Sequence, residues 1–207
     1  MASTGQGKSA LRGRAVVKVA VVPLTTRGVL EFIDNLVTEV EGALKEAGLV
    51  GVEVIAWPDV VKPPMKCFSW DRAQYHANCV VRHLKEVFQV VKATSSTLVI
   101  GVGYLDGYEH GLNFVFGEAL PGQGVAVVFT KRLRPEFYGE KADYTLYFER
   151  LVKETLHELG HLLGLEHCTG SCVMRFSNSV YEVDEKPGHY CDLCRAKMLR
   201  YYMSSTK

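Results

Sequence analysis

The string HELGHLLGLEHC, residues 157–168, limits what this chain can fold into more than any other feature. It sets His157, Glu158, His161, Gly164 and His167 at the spacing H-E-x-x-H-x-x-G-x-x-H. Residues four apart on an α-helix share a face, about one turn apart, so His157 and His161 can aim at one point. A third side chain reaches that point only if the helix ends soon afterwards. Gly164 tolerates left-handed backbone angles and can supply the turn that swings His167 round. Three imidazoles on a zinc ion leave one tetrahedral position open to water, which marks a catalytic rather than a closed structural site. Zinc brings the pKa of such a water to about 7. Glu158, next to the first ligand, is placed to take the proton as general base and pass it to a leaving amine. A polar helix face with three surface histidines would leave Glu158 and Gly164 unexplained.

The flanking sequence agrees. Residues 141–163 contain no proline and a single glycine, Gly160. Phe148, Val152, Leu156, Leu159 and Leu163 recur three or four apart, which predicts one long amphipathic helix. On a helical projection these five lie within about 80° of one another, and the two histidines point about 160° away from their centre. Such a helix should sit between an apolar sheet and a cleft.

A second metal signature follows at once. Cys168 and Cys172 form C-x3-C, and Cys191 and Cys194 form C-x2-C. Two close cysteine pairs read as a four-thiolate structural zinc site, with two disulfides as the alternative. Tying the pairs together would brace the turns that carry His167 and Met174. Loss of this metal is therefore expected to weaken the catalytic one.

The string from His157 to Cys194 resembles the archaemetzincin family of metzincin metallopeptidases. That family joins the extended histidine motif to a cysteine pair ending in C-x-M and a later C-x2-C. Here those are His157, Glu158, His161, Gly164, His167, Cys168, Cys172, Met174, Cys191 and Cys194. The resemblance implies a catalytic zinc on His157, His161 and His167 with Glu158 as base. It also implies a structural zinc on the four cysteines, and Met174 as a methionine turn under the catalytic metal. On its own a methionine is more often core filler. The implied fold is α/β (α+β): a mixed, twisted five-stranded sheet packed with helices, a long active-site helix and a small C-terminal subdomain. Some metzincins carry a tyrosine two residues after the methionine. Phe176 stands there and has no hydroxyl. Arg175 and Tyr181 are weak substitutes for stabilising an oxyanion. His189, close to Cys191, is an alternative ligand that four cysteines make unnecessary.

The remainder reads as scaffold. The chain has 207 residues, 47% hydrophobic, and a net charge of +1, so nothing points to nucleic acid or an anionic membrane. No apolar run reaches the roughly 18 residues of a membrane helix. Residues 1–14 are small, polar and basic and read as a disordered leader without the apolar core of a secretory signal. Residues 15–207 read as one catalytic domain, with lobes over 15–164 and 165–207. Strands are expected over 15–23, 52–56 and 97–102. Helices are expected over 29–47, closed by Gly48, and over 70–93, capped by Ser69 or Asp71 with Val80, Leu84, Val87 and Val91 facing inward. Residues 113–119 and 125–130 flank Pro121-Gly122-Gln123-Gly124 and read as paired antiparallel strands. The first of these is the candidate edge strand that the family uses to bind substrate by strand addition. Cys79 reads as a buried thiol in a helix, with a disulfide to Cys67 as an unsupported option. Lys131, Arg132 and Arg134 read as a solvated surface or a site for acidic peptide. Glu118 and Glu166 are guesses for an anchor of a free amine.

The expected function is therefore a zinc metallopeptidase acting as a monomer on peptide or protein. A non-catalytic zinc-binding or scaffolding protein, or a hydrolase of another amide, remains open. The absent signal and the thiol ligands point to the cytoplasm.

Overall fold

Residues 17–89 and 97–205 are described by a computed structural model; the expected leader lies outside them. The run KVAVVP forms strand β1 (Lys18–Pro23), buried at every position after Lys18. Such uninterrupted apolar runs belong to strands covered on both faces. β1 pairs in parallel with β2 (Glu53–Ala56) and β5 (Thr97–Gly103). β8 (Val125–Phe129) continues the parallel set beside β5. β7 (Gly117–Leu120) closes the sheet antiparallel to β8, giving the order β2-β1-β5-β8-β7. This is the mixed five-stranded sheet expected.

Alternate residues of β1, β5 and β8 feed two cores. Val19, Val21, Ile100, Val102 and Val128 pack under α1 (Ile33–Glu46) and α3 (Tyr144–Leu162). Ala20, Val22, Val99, Val127 and Phe129 pack under α2 (Ala77–Val87). A short 3-10 turn over Leu30–Phe32 leads into α1. Gly48, at φ 103°, ends it as expected.

The helix expected over 70–93 is a correction. α2 covers only Ala77–Val87 of it, and Val91 lies outside the described residues. Upstream come a 3-10 turn (Met65–Cys67), β3 (Phe68–Ser69) and β4 (Gln74–His76). β4 pairs antiparallel with β3 and parallel with β6 (Gly107–Tyr108), making a second, three-stranded sheet. Ala73 has φ 52°, which no right-handed helix can pass through. Neither Ser69 nor Asp71 caps α2; Glu109 Oε2 accepts from the Asn78 amide instead, at 3.1 Å. Cys67 and Cys79 form a disulfide, so Cys79 is not a free thiol; it is also only half-buried. Val80 and Leu84 face inward as expected, while Val87 is exposed.

α3 begins at Tyr144, capped by the Asp143 carboxylate, which accepts from the Leu146 amide at 2.9 Å. Its burial extends well beyond the predicted stripe: Tyr147, Arg150, Leu151 and Glu154 are buried too. The C-terminal segment, with α4 (Val180–Glu185) and α5 (Asp192–Ser205), covers the side opposite the sheet. Arg150 clamps Asp184 through two bonds of 2.7 Å. Lys153 donates to the carbonyls of Val183 and Asp184 at the end of α4, at 3.1 and 2.9 Å. No helix among the described residues is long and apolar enough to cross a membrane.

Candidate metal centre

α3 and the turn after it bring the three histidines together. Gly164 adopts φ 80°, as its predicted role requires. The ring centroids of His157 and His161 lie 4.8 Å apart, and His167 closes the triangle at 5.3 and 4.9 Å. His157 Nδ1 donates to the Val173 carbonyl at 2.9 Å, and His161 Nδ1 to the Leu165 carbonyl at 2.8 Å. A carbonyl only accepts, so each Nδ1 carries the proton and each neutral ring has its lone pair on Nε2. Those two nitrogens face one another at 3.2 Å. Burial holds both rings below the usual imidazole range, His157 well below it, with Lys186 adding to the effect. Two confronted lone pairs on rings that resist protonation fit a divalent cation.

Glu158 is buried beside this cluster. Burial pushes its carboxyl well above the usual range, and the nearby Glu154 and Glu118 carboxylates push the same way. Gly117, at the start of β7, lies directly against it: a Cβ there would run into the Glu158 carboxylate. The two line a cleft of about 490 Å³ with the three histidines, residues 111–116, Phe176, Ser177 and Asn178.

Below the helix, Met174 is fully buried, with its sulfur so close to Gly160 that a Cβ there would collide with it. That contact explains why the helix carries a glycine between its two histidines. Tyr190 donates to the Leu156 carbonyl at 2.6 Å. Lys186, 1% exposed, pairs with Glu154 at 2.7 Å, one turn before Glu158. Glu154, Lys186 and Tyr190 escaped sequence reasoning, as did the contact of Gly117, a residue of the expected edge strand, with Glu158. Glu154 alone left a signal, four residues before Glu158 on one helix face.

Cys168, Cys172, Cys191 and Cys194 also converge, each sulfur within 4.8 Å of the others. Cys168 and Cys191 sulfurs are 3.9 Å apart. The Gly170 amide donates to Cys168 Sγ at 3.4 Å and the Cys191 amide to Cys172 Sγ at 3.3 Å. Burial raises the Cys172 thiol. At Cys191, amide and thiol hydrogen bonds outweigh burial and lower it. Four soft sulfurs with amide donors around them suit zinc.

The secondary candidates separate. Phe176 packs on the His167 ring at 5.0 Å. Tyr181 is 61% exposed, and Arg175 faces Glu185 at 4.0 Å; neither lines the cleft. His189 is outside the cysteine cluster and accepts the Val173 amide through its carbonyl. Glu118 lines the cleft and Glu166 does not. The basic cluster is not a free surface: Arg132 clamps Asp106 at 2.7 and 3.1 Å, and Arg134 lies over the Tyr104 and Tyr147 rings. The expected strand over 113–119 is shorter, since β7 starts at Gly117 and Val115 makes one bridge to Gly107.

A helix that presents imidazoles to an open cleft beneath an antiparallel edge strand has the architecture of a zinc metallopeptidase. The sequence model of Peptidase family M54 matches residues 17–200. The archaemetzincin of Aeropyrum pernix is 45% identical over 152 residues, 72% of this chain and 79% of its own. That of Pyrococcus furiosus is 40% identical over 88% of this chain and 90% of its own. The crystal structure of archaemetzincin from Methanopyrus kandleri superposes with a TM-score of 0.76 at 36% identity, covering 94% of this chain and 99% of that one. The chain belongs to peptidase family M54, the archaemetzincins, and is a zinc metallopeptidase.

Proposed function

We propose that His157, His161 and His167 hold the catalytic zinc, that Glu158 is the general base, and that Cys168, Cys172, Cys191 and Cys194 hold a second, structural zinc. Bound at the imidazoles, zinc supplies a Lewis acid that acidifies water and polarises the scissile carbonyl. The Val173 and Leu165 carbonyls fix the tautomer and aim of the first two ligands. Glu158 takes the proton of the attacking water on its carboxylate and returns it to the amine as the peptide bond breaks.

β7 supplies the template. Phe116 already accepts the Phe129 amide, so by the alternation of an antiparallel pair Gly117 and Ala119 turn their backbone groups away from β8. A substrate strand pairing there lies across Glu158. Phe176, without a hydroxyl, leaves oxyanion stabilisation mainly to the metal. Gly164 supplies the turn and Met174 the floor. Residues 15–207 act as one domain, with the cleft between 15–164 and 165–207; a buried cluster shared by α1, the sheet, Met174 and Met198 supports this. We read the protein as a monomer; each ligand set is complete within one chain, so neither centre needs a second copy to form. The four thiols favour a reducing, cytoplasmic setting, and the Cys67–Cys79 disulfide pulls the other way. Non-reducing peptide mapping of protein from its native cells decides between them.

The observation that carries the mechanism is the paired Nε2 atoms beside a buried carboxylate in an open cleft. Zinc content and peptide-library hydrolysis, on wild type and Glu158→Ala in parallel, test it. Two tightly held zincs in both, with kcat lowered roughly 10²–10⁴-fold in the variant, is expected. Unchanged hydrolysis would remove Glu158 from the mechanism. Two zincs with no hydrolysis in either would favour a non-catalytic zinc protein.

A further inference from the structure

A third group of ligand-bearing side chains lies apart from both centres. His76 ends β4, and Glu109 and His110 follow β6, whose backbone pairs with β4 through Tyr75↔Gly107 and His76↔Tyr108. The ladder therefore sets the three side chains side by side. Their donor atoms all lie within 4.8 Å of one another. His76 Nε2 meets Glu109 Oε1 at 2.9 Å, with the two side chains 25% and 24% exposed. The His76 and His110 rings are 4.8 Å apart between centroids, and His110 is exposed. Glu109 is further anchored by the amides of Asn78 and His110, at 3.1 and 3.0 Å, so its carboxylate is fixed before any ligand arrives.

We propose that His76, Glu109 and His110 form a third, solvent-facing site for a divalent transition-metal ion. Two imidazoles and one carboxylate suit zinc, nickel, cobalt or copper rather than magnesium or calcium. Binding of the ion replaces the hydrogen bond between His76 and Glu109, with each imidazole ligating as the neutral ring, and water fills the remaining positions. The site's position gives it a consequence. His110 is followed by Gly111, Leu112 and Asn113, which form the rim of the catalytic cleft. Arg72 and Gln74 already hold the Asn113 carbonyl at 2.9 and 3.0 Å. An ion on Glu109 and His110 ties the other end of that rim to the start of α2.

Equilibrium dialysis of the zinc-loaded protein against free zinc, with metal counted per chain, tests the site. Wild type is expected to hold one zinc more than His110→Ala, and the variant's affinity for that ion is expected to fall by more than about 100-fold. His76→Ala and Glu109→Gln should lose the same equivalent, and His83→Ala, at a neighbouring α2 histidine outside the cluster, should keep it. His110 is exposed, so its variant keeps the fold, which far-UV circular dichroism and unchanged retention of the tightly held zinc verify. Equal zinc in wild type and His110→Ala would overturn the proposal. Loss of the extra ion in His83→Ala alone would also overturn it, by placing the ion elsewhere.

Discussion

The histidine centre and the cysteine centre sit next to each other and are built by opposite means. Two of the three imidazoles project from a single rigid helix, their rings locked by backbone carbonyls, and they open onto a cleft. The four sulfurs come from two short turns and the start of α5, with two of them half-exposed, two buried in the core, and backbone amides donating to Cys168 and Cys172. On the proposed reading, the site that must bind and release substrate is carried by one long helix, and the site that only has to close a loop uses the loop itself. The two are nevertheless joined twice, once where Cys168 directly follows His167 and once through Val173. Val173 holds His157 through its carbonyl, and its neighbours are Cys172 and Met174.

That join can be broken at graded cost. Cys172→Ser is expected to have the largest effect, costing about 3 kcal/mol or more and lowering Tm by roughly 10 °C. Through Val173 it should also weaken the catalytic zinc by about 10–100-fold, read by chelator competition. Loss of one zinc with the other held as tightly as before would show the centres to be independent. Gly160→Ala comes next. Its Cβ meets the Met174 sulfur, and about 1–3 kcal/mol of overpacking is expected. Thermal melts of Gly160→Ala with and without Met174→Ala check it, since the second change opens the space. Gly117→Ala leaves both metals in place and displaces Glu158, so kcat should fall about 10- to 100-fold at constant zinc content. Ala119→Pro is the mildest. It removes one N–H that faces the cleft and spares the ladder to β8, so KM should rise roughly fivefold, for about 1 kcal/mol, with kcat kept.

The histidine and cysteine clusters were legible because each depends on spacing, which folding preserves. The main sheet was legible because strands such as KVAVVP are apolar throughout. The region from Met65 to His76 was not. Its strands are two and three residues long, too short for any periodicity, and its direction is set by Ala73 and by the bond between Cys67 and Cys79. The apolar spacing of α2 extends upstream by accident through Trp70, which in the fold is 77% exposed. The amphipathic reading of α3 found its ligands and missed Glu154, because a buried acid is legible only with its partner. Lys186 lies far along the chain and carries no motif.

The contact between Gly117 and Glu158 bears on how this enzyme could be redesigned. On the proposed mechanism, the wall that would grip the peptide and the group that would move the proton share one van der Waals surface. Any side chain introduced at that point to change preference also changes turnover. New selectivity is better sought across the cleft, at Ser177 or Asn178, where a substitution can reshape the opening without leaning on the base.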